Sequence, residues 1–154
     1  MERWKPNTTV ATVVPQKNPK SGDIEYLFVH EVRNNKPVYN QPAGHLDEGE
    51  SLVAAAVRET QEETGWTVEI TGLVGIYRFI GADNTTYMRY VFAAKPLHHN
   101  AEQSLDDGII AAVWLSYNDL LDKLGDMRSS IVKQAVDDYL ENRIYPLSLL
   151  HEPS

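Results

Sequence analysis

The sequence predicts an α/β fold, an α/β/α sandwich built on a mixed β-sheet. Three observations point there. Short stretches rich in Val, Thr, Ile and aromatic residues recur before and after one strongly patterned helical segment. Further helical segments follow the last of these stretches. No repeat, low-complexity tract or linker divides the 154 residues, so a single domain over residues 1–154, with a proper core, is expected.

Residues 8–14, rich in Thr and Val, predict a first strand, and residues 24–32 (IEYLFVHEV) a second beyond the turn-rich QKNPKSGD. A turn is expected at 33–36. The central helix comes next. Residues 68–80 read as a strand bent or bulged by Gly72 and Gly75. A polar loop at 82–86 leads to the clearest strand, 87–94, then a loop over 95–108 and a strand at 109–115. Ser116 is placed to cap a short helix through residue 123, and Ser129 or Ser130 to begin a last helix ending near residue 142.

The central helix carries the chemistry. Residues 44–65 read GHLDEGESLVAAAVRETQEETG. Ser51 is the expected N-cap, and Gly65 sits where a helix commonly ends in a left-handed turn. Val53, Ala56, Val57, Thr60 and Thr64 form one stripe, roughly opposite an acidic face made by Glu59, Glu62 and Glu63. Thr60 falls on the buried stripe, where its methyl packs almost like valine and its hydroxyl can bond back to the carbonyl of Ala56. Like charges at this spacing repel, so the acidic face costs stability unless a cation neutralises it. A hard divalent cation such as Mg²⁺ prefers oxygen ligands and is usually shared between carboxylates and substrate phosphates. Metal-assisted chemistry on a phosphate compound is the expectation.

Composition is compatible with this. The formal net charge of −8 argues against nucleic-acid backbone binding as the main activity. Phosphate binding at one spot remains compatible through a bound cation, which inverts the local sign. Cysteine is absent, so neither a disulfide framework nor thiol catalysis is expected. The opening residues show no apolar core of a signal peptide, and no apolar run is long enough to span a bilayer. A cytoplasmic protein without membrane or nucleic-acid partners is the simple expectation.

Gly44, Glu50, Arg58, Glu59, Glu62, Glu63 and Gly65 fill the seven fixed positions of a known pattern, G-x5-E-x7-R-E-U-x-E-E-x-G-U, where U is bulky and apolar. At about 7% per residue type, such a set would arise by chance in roughly one sequence in a million. The stretch, residues 44–66, resembles the Nudix box, with Thr60 departing at one apolar position and Trp66 filling the other. The resemblance implies the Nudix fold and a hydrolase of diphosphate-linked compounds that uses Mg²⁺, or Mn²⁺ in its place. It implies metal binding by Glu59, Glu62, Glu63 and the carbonyl of Ala43. Divalent ions would bridge the substrate phosphates, polarise phosphorus and lower the pKa of an attacking water. Glu59 is the first choice for orienting or deprotonating that water, with Glu62 beside it. Arg58 is read as orienting the glutamates, with Glu50 as a partner. Family members differ over the base, some using a carboxylate on a later loop.

Other candidates keep two readings. Asp106 and Asp107 lie in a loop where many relatives place an acid near the metals, and a solvent-facing loop accounts for them equally well. Gly108 stands near a position where an acid is expected. Arg89, in the clear strand, contacts a substrate phosphate or forms a structural ion pair. Arg128, Ser129 and Ser130 at a helix start seat a phosphate on free amides or simply cap the helix. His45, His98 and His99 lack metal spacing. Tyr77, Phe79, Tyr87 and Trp114 read as core before they read as a base-stacking platform.

Segments outside the box narrow the resemblance. Residues 40–46 (NQPAGHL), 87–93 (YMRYVFA), 127–130 (MRSS) and 145–147 (YPL) are similar to those of the NudJ-type bacterial phosphatases of this family. That likeness implies removal of phosphate from nucleoside tri- and diphosphates and from thiamine-pathway pyrophosphates. The rival expectations are a pyrophosphatase of ADP-ribose or a nucleoside diphosphate sugar, an enzyme for oxidised nucleotides, and a non-catalytic ligand sensor. The expected partner is a small nucleotide or pyrophosphate, and monomer and homodimer are both reasonable.

Overall fold

Strand β1 (Asn7–Val13) is buried on both faces, as a run of Val, Ala and Thr permits. A computed structural model of the chain, describing residues 1–152, places it inside a mixed sheet. The other strands are β2 (Pro15–Lys17), β3 (Ile24–Arg33), β4 (Lys36–Asn40), β5 (Ala43–His45), β6 (Trp66–Ile80), β7 (Thr86–His99) and β8 (Ile109–Ser116). The helices are α1 (Leu52–Thr64), α2 (Tyr117–Asp122) and α3 (Ser130–Leu140). The first sheet runs β5-β1-β7-β6, with β1 and β7 parallel and the outer pairs antiparallel. In the second, all antiparallel, β3 has β8 on one edge and both β2 and β4 on the other.

Alternation along the inner strands divides the core. Val10, Val14, Leu27, Phe92 and Ala94 pack with Ala55 and Ala56 of α1. Ala11, Val13, Phe28, Val91 and Ala93 point the other way, towards Leu120 of α2 and Val132, Ala135 and Val136 of α3. One helix therefore covers one side and two cover the other, which is the expected α/β/α sandwich.

Several sequence expectations need correction. The 95–108 loop is shorter than expected, because β7 continues through Lys95 to His99 against Trp66–Glu69 of β6. Lys95 does so as an exposed strand residue beside Glu69, at 3.2 Å, a pairing invisible in local pattern. Strands β2, β4 and β5 were not expected; they are three to five residues long and contain Pro or Gly, so no alternation could reveal them. The turn at 33–36 is narrower than drawn: Asn34 and Asn35 both take positive φ, as a two-residue hairpin turn requires, while Arg33 and Lys36 are paired strand residues. Two of the register shifts in β6 fall beside Gly72 and Gly75, where the sequence places them, and a third, at Thr67/Val68, was not expected.

Helix α1 begins and ends as read. The Ser51 side chain accepts from the Ala54 amide, and Gly65 is left-handed with φ 77° and donates to the Gln61 carbonyl. Thr60 is fully buried and its hydroxyl donates to the Ala56 carbonyl, 2.8 Å away. It also meets the buried Thr12 hydroxyl at 2.8 Å, which changes what its replacement does. Sequence alone makes Thr60→Val near-neutral. With the Thr12 hydroxyl left unsatisfied, it is expected to cost about 1–2 kcal/mol. Thr12→Val combined with Thr60→Val should recover most of that loss, since both partners then become apolar together. Urea denaturation midpoints of the three variants check this coupling.

Candidate active site

Two carboxylates of α1 dock onto β5, and that contact fixes the site. Glu59 and Glu63 lie four apart on one row of the helix, and this row faces Ala43 and Gly44. A Cβ added to Gly44 would collide with the Glu59 carboxylate, so only glycine lets that side chain lie against the strand. Glu63 is 6% exposed and accepts from the Ala43 amide at 2.8 Å. Burial, opposed by that amide, pushes its pKa up to about 8, and the charges of Glu31, Glu59 and Asp106 push the same way. Glu59 is raised too, chiefly by burial, against the pull of Arg58.

Arg58 ties the acidic residues together. Its Nε and Nη2 donate to Glu50 at 3.0 and 2.6 Å, a bidentate pair. Its Nη1 donates to Glu59 at 2.9 Å and Glu62 at 3.1 Å, and Nη2 also reaches the His45 carbonyl at 3.1 Å. Glu50 in turn accepts from the Asp47 amide, 2.8 Å away, closing the loop before the helix. Although helical spacing sets Arg58 off the acidic face, its length carries the guanidinium across it. The Glu50 hydrogen bonds raise its pKa further.

The loop before β8 completes the cluster. The Asp106 amide donates to the Glu62 carbonyl at 3.3 Å, the Gln103 side chain to the Gln61 carbonyl at 2.8 Å, and the Asn100 amide to the Gly65 carbonyl at 2.9 Å. The Glu62 and Gly65 carbonyls lie past the last intrahelical bond, so the loop satisfies them and brings Asp106 to the acidic face. Carboxylate oxygens of Glu59, Glu62 and Asp106 all lie within 4.8 Å of one another. Three hard oxygen donors this close suit a divalent cation. Glu63 is not one of the three, since it is turned to the Ala43 amide, but it lines the same cavity with Glu59, Ala43, Gly44, Asp106 and Asp107.

Glu31 joins them from the second sheet, and sequence reading missed it. It is 2% exposed, lies at a register shift of β3 against β8, and faces this acidic cavity. Its signal was an acid inside an apolar strand. Arg128 pairs with it at 3.1 Å and Arg33 at 3.5 Å, which leads into a second, adjoining cleft of about 720 Å³. Arg89 lines that cleft, 7% exposed, with its guanidinium carbon 5.5 Å from the centre of the Phe79 ring. It makes no ion pair among the described residues, and burial lowers its pKa to about 10. The ion-pair reading of Arg89 is therefore not met. Tyr77 is bonded to Asp138 and Trp114 packs edge-on to Trp66, consistent with core roles. His99 stacks on Trp66 and belongs to no carboxylate cluster.

A two-sided sandwich with this acidic helix and its Arg58 brace defines a Nudix hydrolase. The NUDIX domain family model matches residues 6–135, and the chain belongs to that family. It is a hydrolase of acid anhydrides in phosphorus-containing compounds, of the pyrophosphohydrolase and phosphatase kind. Within the family it is similar to the protein named phosphatase NudJ from Shigella boydii, 34% identical over 147 residues, covering 96% of this chain and 92% of that protein. A solved NUDIX hydrolase from Nitrosomonas europaea superposes with a TM-score of 0.90 at 38% identity, covering 97% of this chain and 98% of that one. The NUDIX domain of Shewanella oneidensis NrtR, solved with ADP ribose, shares the fold at a TM-score of 0.72 and 18% identity, over 91% of this chain and 90% of that one. Nudix hydrolases generally use divalent metals, and the three clustered carboxylates fit such an ion. Among the described residues, no helix is long and apolar enough to cross a membrane.

Proposed function

We propose that this chain, acting as one Nudix domain, is a Mg²⁺-dependent phosphatase of nucleoside tri- and diphosphates, with activity extending to thiamine-pathway pyrophosphates. The observation that carries the reading is the Glu59, Glu62 and Asp106 cluster opening beside a cleft lined by Arg89 and Arg128. Carboxylates gather the cation and arginines meet the phosphates; both halves are needed for a phosphoanhydride. The similarity to relatives named phosphatase supports this substrate class.

When bound, Mg²⁺ supplies charge neutralisation at the phosphates and a more acidic water. Glu59, Glu62 and Asp106 would hold it, with the Ala43 carbonyl and Glu63 at the inner wall. Glu59 is the residue assigned to orient the attacking water and take its proton, and its raised pKa suits a group that must accept one. Arg58 keeps Glu59 and Glu62 in place from behind. Arg89 and Arg128 would meet substrate phosphate from the adjoining cleft.

Phosphate release from a substrate panel, with and without Mg²⁺, tests the proposal. The panel holds nucleoside tri- and diphosphates, thiamine diphosphate, hydroxymethylpyrimidine diphosphate and ADP-ribose, with products separated. Mg²⁺-dependent orthophosphate from terminal positions is the expected result. AMP and ribose phosphate from ADP-ribose would replace the substrate class. Binding without turnover of any compound would make the chain a sensor.

A stability measurement tests the metal separately. Glu63 binds its proton more tightly when folded, with a pKa of about 8 against 4.5 for an ordinary glutamate. The folded state therefore holds more protons between those values, and metal-free stability falls as pH rises from about 4.5 through 8. Mg²⁺ offsets the ionised charge. Its addition is expected to raise Tm by several degrees above pH 8 and by much less near pH 6. A Tm gain independent of pH would separate the cation from Glu63.

A further inference from the structure

The acidic cavity accounts for only part of the concave surface. The adjoining cleft is lined by Arg33, Lys36, Arg89 and Arg128 against one carboxylate, Asp83, in a chain of net charge −8. That carboxylate is already engaged, accepting from the Tyr87 hydroxyl at 3.1 Å and the Thr85 amide at 3.0 Å. Arg33 and Arg128 share a single buried partner, Glu31, on the wall towards the acidic cavity.

Arg89 is the decisive residue. Its only hydrogen bond among the described residues is a long 3.5 Å contact to the Asn40 side-chain oxygen, and its buried Nε has no partner. Thr9 stands directly beside it in the β1–β7 register, and the Thr9 hydroxyl is likewise buried and unpartnered. Buried polar groups are normally satisfied, and a buried charge without an anion is costly. Two unused donors side by side on one face of a sheet, both lining the cleft, call for an acceptor that carries negative charge. The aromatic residues here do not call for a base: Phe79 has Arg89 over its ring and Tyr87 stacked 5.4 Å away at 22°.

We propose that this cleft is a second anion subsite, which binds a phosphate or equivalent anionic group of the substrate lying outside the anhydride held at the carboxylates. Arg33, Ala43, Gly44 and His45 line both cavities, so one extended molecule can occupy the two together. The enzyme then selects substrates by the number and spacing of anionic groups more than by their ring. Triphosphates should have lower KM than the matching diphosphates. The substrate wording rests on the hydrolase reading; the anion site itself does not.

The test is calorimetric titration of the full chain with inorganic phosphate in EDTA. Wild type should bind. Arg89→Met should weaken binding at least about tenfold, as expected for loss of a charged partner in a desolvated site. Lys36→Ala, at the exposed rim, should weaken it about threefold, as a solvent-screened charge does. Ligand-free Arg89→Met should be at least as stable as wild type, because it removes an uncompensated buried charge. Absence of phosphate binding to wild type, or equal binding by both variants, would overturn the subsite. So would a strongly destabilised Arg89→Met together with wild-type affinity in Lys36→Ala. Phosphate binding without turnover of any substrate would leave the subsite standing and remove only the hydrolase reading.

Discussion

Glu63→Gln is expected to lower kcat by about 10³-fold, the scale of losing part of the charge stabilisation a catalytic cation provides. The fold should survive, because a glutamine oxygen can still accept from the Ala43 amide that Glu63 now holds at 2.8 Å. What disappears is one negative charge from a cavity it shares with Glu31, Glu59 and Asp106. In the metal-free protein that charge is a burden, as its pKa of about 8 records. The variant should therefore be more stable than wild type in EDTA at high pH, yet gain less Tm from Mg²⁺. Steady-state kinetics and thermal melts on the same preparation check both halves. Wild-type kcat, or an unchanged Mg²⁺ response, would remove Glu63 from the metal site.

The parts of this molecule that were legible in sequence are those written in local periodicity. Helix α1 announces itself by its cap at Ser51, its stop at Gly65 and its stripe through Thr60. Strand β1 announces itself by its run of Thr and Val, and β7 by its aromatic and apolar residues. Long-range pairing is where reading failed. The Thr12 hydroxyl lies 48 residues from Thr60, and Glu31 lies 97 residues from Arg128. No local pattern links such pairs. Strand β5 is another case: three residues with two small side chains carry no signal, although Gly44 is the seat of the Glu59 carboxylate. The acidic helix was visible, while the basic cleft beside it is assembled from β3, β4, β7 and the approach to α3.

Gly44→Ala should separate activity from stability. Nothing in the backbone of Gly44 demands glycine, since its φ is not positive. The new methyl would instead strike the carboxylate of Glu59, the far end of a flexible side chain. Such a group moves aside cheaply, so the loss of stability should stay within about 1 kcal/mol. The displaced carboxylate, however, leaves both its 2.9 Å hydrogen bond from Arg58 and its place beside Glu62 and Asp106. Misplacement of a catalytic group by about 1 Å costs on the order of 10² in rate, so kcat should fall by at least that much. Gly65→Ala is the contrasting control. There φ is 77° and the added Cβ would lie 2.8 Å from the Asn100 carbonyl, a backbone atom that cannot swing away. That variant should lose stability by about 1–3 kcal/mol while its folded fraction keeps more of its activity. If Gly44→Ala instead melts early with normal kcat, Gly44 serves the β5 backbone, and Glu59 does not need to lie where it does.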